Sequence, residues 1–240
     1  MIEYARSGRI LIELLAAVVA FYLFFRRSNS PMLADYFFST VGLLVVLLAF
    51  YTTSAIMSLG NRPQNYLILA SRLGHIGYLI GLYLTALTIE LSIYGLLCLT
   101  VAFINPIANL SVGGWILGTI PLILNMALVG ALLTLIAPIV LTSGWRLAIL
   151  GIVAIAFSGN LISGEMLENL GTPVKTLLSV LRTLFSTPLL PAFTGYALSV
   201  SRDYSGLNIA IPFAQLSLTL SLLALALYAF TRREIIFNNS

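Results

Sequence analysis

Between Asp35 and Arg62 the chain reads YFFSTVGLLVVLLAFYTTSAIMSLGN, residues 36–61, 26 positions with no charged side chain. A lipid hydrocarbon core about 30 Å thick needs about 20 residues of helix at 1.5 Å each, so this run is long enough to cross it. A second run, residues 204–231 between Asp203 and Arg232, has the same character. The rest of the chain agrees. Of its 240 residues 60% are hydrophobic and 8% charged, and the mean hydropathy is +1.04. A soluble domain could not solvate such a surface, so the solvent for most of it is lipid.

Residues 91–145 are also uncharged, too long for one helix, and Asn105, Pro106, Asn109, Gly113 and Gly114 punctuate the middle, so a helix, a turn and a returning helix are expected. Residues 147–164, between Arg146 and Glu165, are 18 in number and just cross. At the start, Arg6 and Arg9 precede an apolar stretch that ends Phe24-Phe25-Arg26-Arg27 with no small-x-small cleavage site, so an uncleaved first span is expected rather than a signal peptide. The fold class is therefore an all-α integral membrane protein with six transmembrane helices, at about 10–26, 35–58, 77–104, 114–141, 145–163 and 207–231. These spans form a single domain over 1–240.

Residues 164–206 differ, because Glu165, Glu168, Lys175, Arg182, Arg202 and Asp203 interrupt the apolar background beside Pro173, Pro188 and Pro191. Within 174–185, Val174, Leu177, Leu178, Leu181, Leu184 and Phe185 recur at helical spacing with Lys175 and Arg182 off the stripe, a helix that lies along an interface or dips in and returns. Basic residues set the orientation. With the N-terminus inside, Arg6, Arg9, Arg62, Arg72, Arg146, Arg232 and Arg233 fall on the cytoplasmic side, seven against five (Arg26, Arg27, Lys175, Arg182 and Arg202) outside. Both termini are then cytoplasmic, in a multi-pass protein of the plasma or inner membrane.

The net charge of +4 does not point to nucleic acid, because the 12 basic residues are scattered singly or in pairs between apolar runs. No Gly-x-x-x-x-Gly-Lys-Ser/Thr loop is present to cradle a nucleotide. One histidine and one cysteine exclude paired-histidine haem ligation and a Cys/His zinc cluster within one chain. A Ser-His hydrolase would need His75, expected at the cytoplasmic edge and far from Ser158 or Ser163. No catalytic, metal or cofactor residue is assigned.

Glu90 falls near the middle of the third span, where an unpaired carboxylate is expensive; it lines a path or bonds a neighbouring helix. Glu13, four residues after Arg9, is expected to pair with it on one helix face. Asn125 and Asn160 are read as interhelical hydrogen-bonding groups, His75 as an interfacial anchor and Cys98 as packing. Tyr4, Tyr22, Trp115, Trp145, Tyr196 and Tyr204 near span ends are read as an interfacial belt.

The segment Ser58-Leu59-Gly60-Asn61-Arg62-Pro63-Gln64-Asn65-Tyr66-Leu67-Ile68-Leu69-Ala70-Ser71-Arg72-Leu73-Gly74-His75 reads as a short amphipathic helix at 62–73, with Leu67, Ile68, Leu69 and Leu73 as an apolar surface suited to a groove in a soluble partner. Here the sequence resembles the type-2 permease subunits of ATP-binding cassette (ABC) transporters. Residues 1–9 resemble that family's N-terminal interfacial helix, 62–73 with Gly81 downstream its cytoplasmic coupling helix, 164–203 its extracellular re-entrant segment, and Thr231-Arg232-Arg233-Glu234 its tail. Asn61-Arg62-Pro63 stands where the family often carries an Arg-Glu pair followed by Gly-Thr.

The resemblance implies a permease without its own ATPase, coupled to separate ATPases through Arg62, Tyr66, Leu69, Arg72 and Leu73. It implies a second permease, identical or related, soluble ATP-binding cassette subunits that bind the ATP and magnesium, and a surrounding bilayer. The implied activity is export, with a path between the permeases along Ser39, Thr52, Thr53, Glu90, Ser158 and Asn160. Two other classes fit the same composition: a non-transporting membrane anchor or assembly subunit, and a secondary transporter that uses Glu90 to carry protons.

Overall fold

The computed structural model describes residues 4, 8–26, 31–61, 74–157, 176, 180, 183 and 190–232, without the side chains of 155–157. The coupling segment 62–73, most of 164–189, and Ser158 and Asn160 therefore lie outside the described residues.

In chain order the elements are α1 (Arg9–Ala20), continued by a wider turn Phe21–Phe25, then α2 (Ala34–Gly60), α3 (Gly74–Ile104), α4 (Val112–Leu135), α5 (Ser143–Phe157), α6 (Leu190–Ser201) and α7 (Ile211–Arg232), the last entered through a 3-10 turn Gly206–Ala210. Four of these helices are long and apolar enough to cross a membrane: Ala34–Gly60, Gly74–Ile104, Val112–Leu135 and Gly206–Arg232. Their outward surfaces are hydrocarbon, as at Leu43, Leu47, Leu96, Leu99, Phe213 and Leu220. A chain that leaves such side chains uncovered is an α-helical membrane protein.

Local chemistry sets the ends. Pro106 has no N–H to continue α3, and Asn109 takes a left-handed φ of 54° in the turn that follows. The Ser111 hydroxyl then caps α4 by accepting the Gly114 N–H at 3.1 Å. This turn is fastened to the rest of its face, since Asn105 Nδ2 donates to the Phe25 carbonyl at 2.7 Å and the Ala108 N–H to that of Met32 at 2.9 Å. The fourth span ends earlier than the expected 141. Pro138 cannot continue the helix, and residues 136–141 fold into tight turns whose Ala137, Ile139 and Val140 are buried against Met57, Tyr78 and Phe230.

The ends sort onto two faces. One gathers the end of α1, the start of α2, the α3–α4 turn, the end of α6 and the start of α7, bound by the Arg202–Asp35 ion pair at 2.5 Å and the Tyr204 hydroxyl on the Leu117 carbonyl at 2.7 Å. There the Ser205 N–H, 3.0 Å from Asp203, holds that carboxyl below the usual carboxylate range. The opposite face gathers Gly8, Gly60, Gly74, Leu135, Ser143 and Arg232. With Cys98, the chain's single cysteine, replaced by alanine, Asn109→Cys and Ser205→Cys are expected to react with an impermeant maleimide from one side of sealed vesicles, and Asn61→Cys and Ser143→Cys from the other. Same-side labelling of the two pairs would refute the arrangement.

Helix α4 is the hub, packed on α7, α2, α6 and α3. Helix α7 meets it with one stripe, Gln215, Thr219, Ala226 and Phe230, spaced for a single helix face. Helix α5 has no buried residue from Ser143 to Ala154 and stands at the margin of the bundle.

Candidate functional site

Buried polar groups decide where an apolar bundle can do chemistry, because in lipid each must find a partner within the protein. Two such centres exist among the described residues.

The first joins α1, α2 and α3. Thr52 and Thr53 are consecutive on α2, so their side chains diverge by about 100° around the helix axis and serve different neighbours. The Thr52 hydroxyl donates to Oε1 of Glu13 on α1, and the Thr53 hydroxyl donates to Oε1 of Glu90 on α3 at 2.9 Å. The Tyr4 hydroxyl donates to the same Glu13 oxygen. All five residues are buried, Glu13 and Glu90 to 1% exposure, and each acid keeps its second oxygen, Oε2, without a hydrogen-bond partner among the described residues. Two carboxyl groups thus flank α2 with one oxygen engaged and one bare. Ile56, Leu59, Ala86, Ile89 and Ile93 form the apolar packing around them.

Glu13 opens onto a cleft of about 310 Å³ between α1, α2 and α3. Its walls are hydrocarbon, because α1 offers Ala16, Ala17 and Ala20 toward the larger Leu44 and Leu48 of α2 and Leu97 of α3. The small side chains keep α1 from filling the space.

The second centre joins α4, α6 and α7. Gln215 Nε2 donates to Asn125 Oδ1 at 2.7 Å and to the Pro121 carbonyl at 3.2 Å, while Asn125 Nδ2 donates to the Ala192 carbonyl at 3.1 Å. Pro121 also has no N–H for the carbonyl four residues earlier, that of Leu117, which instead accepts the Tyr204 hydroxyl. A proline inside a membrane helix is thereby satisfied at both points. This centre fixes helices in place.

Among the path residues expected from sequence, Thr52, Thr53 and Glu90 come together. Ser39 does not: it lies thirteen residues before Thr52 on α2, about 20 Å along the axis, where its hydroxyl donates to the Tyr36 carbonyl at 3.0 Å. The expected Arg9–Glu13 pair is replaced. Arg9 donates instead to the Ala55 carbonyl at 3.1 Å, and Glu13 turns inward to Tyr4 and Thr52, because the bundle interior offers hydroxyl donors there. Glu13 was thus missed as a member of the site, and the signal available was its place as the lone acid in the first apolar stretch.

The aromatic belt is also divided. Tyr22 and Trp145 are exposed, but Tyr4 is buried on Glu13, Trp115 packs on Phe37 and Phe38, and Tyr196 donates to the Ser39 carbonyl at 2.8 Å. Asn125 has the interhelical role expected of it, and Cys98 packs on the cluster at the start of α2 and the end of α3. His75 sits at the start of α3, its ring edge-on to Phe230 at 5.7 Å.

No family model, no curated protein and no solved structure matches this chain.

Proposed function

We propose that the chain is the transmembrane permease subunit of an ABC transporter, an exporter in which two permeases, identical or related, enclose the path and separate ATPases bind ATP and magnesium. The single observation that carries this reading is α6. Its described residues, Leu190–Ser201, make about 18 Å of helix, short of a crossing, and Pro191, which has no N–H for a preceding turn, stands at their start. It ends on the face where α7 begins, and it packs within the bundle against α2, α4 and α7 rather than over its surface. A short described helix that runs outward just before the last span supports a re-entrant segment there, as its returning limb.

Two further features support the reading. With the four long helices, α1 with its wide turn and α5 make six spans, and both the α2–α3 connection and the end of α7 then lie on one face, taken as cytoplasmic. Helix α5, apolar and without a buried residue through Ala154, leaves a surface for a second permease. On this reading residues 62–73, with Arg62, Tyr66, Leu69, Arg72 and Leu73, dock the ATPase, and Glu90 with Thr53 lies beside the path.

The test is purification of the tagged chain from its native membrane in mild detergent, with mass spectrometry of what accompanies it and an ATPase assay. A stoichiometric soluble ATPase is expected, and Leu69→Asp, which puts a charge into the docking surface, is expected to abolish its co-purification. A single chain without an ATPase, or an ATPase held equally by Leu69→Asp, would overturn the reading.

A further inference from the structure

We propose that the cleft between α1, α2 and α3 binds an amphipathic amine, its apolar body between the helices and its protonated amino group on Glu13. The cleft's 310 Å³ lies at the lower end of the range of small-molecule sites, about 300 to 1,000 Å³. Apart from Glu13 and two tyrosine hydroxyls the lining is hydrocarbon, and the Tyr94 hydroxyl is already engaged with Thr119 at 2.9 Å. The lining matches an alkyl or aromatic body.

The polar end of the ligand follows from the hydrogen bonding of Glu13. Both hydroxyl donors, Tyr4 and Thr52, converge on Oε1, so Oε2 is left as a buried acceptor without a donor among the described residues, and the contact with the ligand takes a turn of this carboxyl toward the cleft that Glu13 borders. A carboxylate so placed is expensive in a low-dielectric interior, and a cationic donor both completes its hydrogen bonding and neutralises it. A neutral chain would leave Oε2 bare, and a fatty acid would bring two carboxyl groups together. Tyr51, which also lines the cleft, adds an aromatic ring of the kind that attracts ammonium groups. Arg9, the nearest cation in sequence, is committed to the Ala55 carbonyl. The site shares Thr52 with the proposed path but is independent of the permease reading, since binding needs no ATPase.

The experiment uses the purified chain in phosphatidylcholine nanodiscs with radiolabelled dodecylamine, empty nanodiscs giving the partition background. One saturable site per chain is expected. Glu13→Gln is expected to weaken it by about tenfold or more, and Ala16→Phe, which fills the cleft from an exposed position and leaves the carboxyl in place, to do the same. Asp203→Asn, which removes a carboxyl away from the cleft, is expected to bind as the parent chain does, and dodecanol and dodecanoate to compete at least about tenfold less well. Absence of a saturable component, undiminished binding by either Glu13→Gln or Ala16→Phe, or equal competition by dodecanol would overturn the proposal. If Glu13→Gln does not fold, Ala16→Phe decides alone.

Discussion

Gly195→Ala is expected to destabilise the bundle by about 3 kcal/mol, although alanine is the better helix former by about 1 kcal/mol. A Cβ at position 195 would lie 1.9 Å from Gln215 Nε2 and 2.5 Å from its Cδ, so one of the two must move. Gln215 is fully buried, and its Nε2 is held by the Pro121 carbonyl and Asn125 Oδ1. Moving it breaks both bonds where no water can replace them, at about 1 to 3 kcal/mol for each group left unsatisfied. Thermal unfolding in detergent, followed by size exclusion, measures the loss. Gly151→Ala, where nothing among the described residues lies within 4 Å, is the control and is expected to be neutral or slightly stabilising. The double variant Gly195→Ala with Gln215→Ala is expected to lose less than the sum of its parts, because each change removes what the other collides with or leaves unpaired. Strict additivity would show that Gly195 and Gln215 do not share a packing site.

Gly118→Val is expected to cost about 3 kcal/mol or more, where α4 meets Phe38 of α2. Here the obstacle is a ring rather than a flexible amide: three atoms of Phe38 would lie 2.3, 2.4 and 2.7 Å from the new Cβ. Phe38 cannot yield easily, because it is fully buried with its ring centroid 5.2 Å from Phe37 and 6.1 Å from Trp115, and Arg202 stacks over it at 5.6 Å. The displaced ring would disturb the contact that seats the start of α2 beside the end of α6. Gly130→Ala, on the same helix, provides the comparison. Its Cβ would meet Tyr83 at 3.4 Å and Thr53 at 3.5 Å, ordinary contact, so that variant is expected to keep parental stability. Equal losses in the two variants would mean that α4 tolerates no glycine replacement at all, and would remove the special role assigned to Phe38.

Much of the bundle was legible along the chain because lipid imposes one strong rule: a crossing segment must be long, apolar and helical. The charge-free runs 36–61 and 204–231 became α2 and α7 with the turn leading into it, and Asn105 to Gly114 marked a turn whose polar side chains bond Phe25 and cap α4. Asn125 could be read as an interhelical group for the same reason, since an amide in hydrocarbon must be paired. Gln215 obeys the same rule and was not read, because nothing in the run around it distinguishes which face looks inward.

The sequence by itself determined that this is a helical membrane protein, which runs are long and apolar enough to cross, and that acids in those runs would need partners. Only the tertiary structure decided which partners. Arg9 and Glu13 stand four apart and could have closed on each other, yet Glu13 meets Tyr4 and Thr52, and Thr53, one residue on, meets Glu90 across the other side of α2. Helical periodicity places a residue on a face, but the direction that face takes depends on how neighbouring helices pack, and in lipid an apolar face turned outward reads the same as one turned inward. The bare Oε2 atoms of Glu13 and Glu90, and the cleft that the alanines of α1 leave open, are products of that packing.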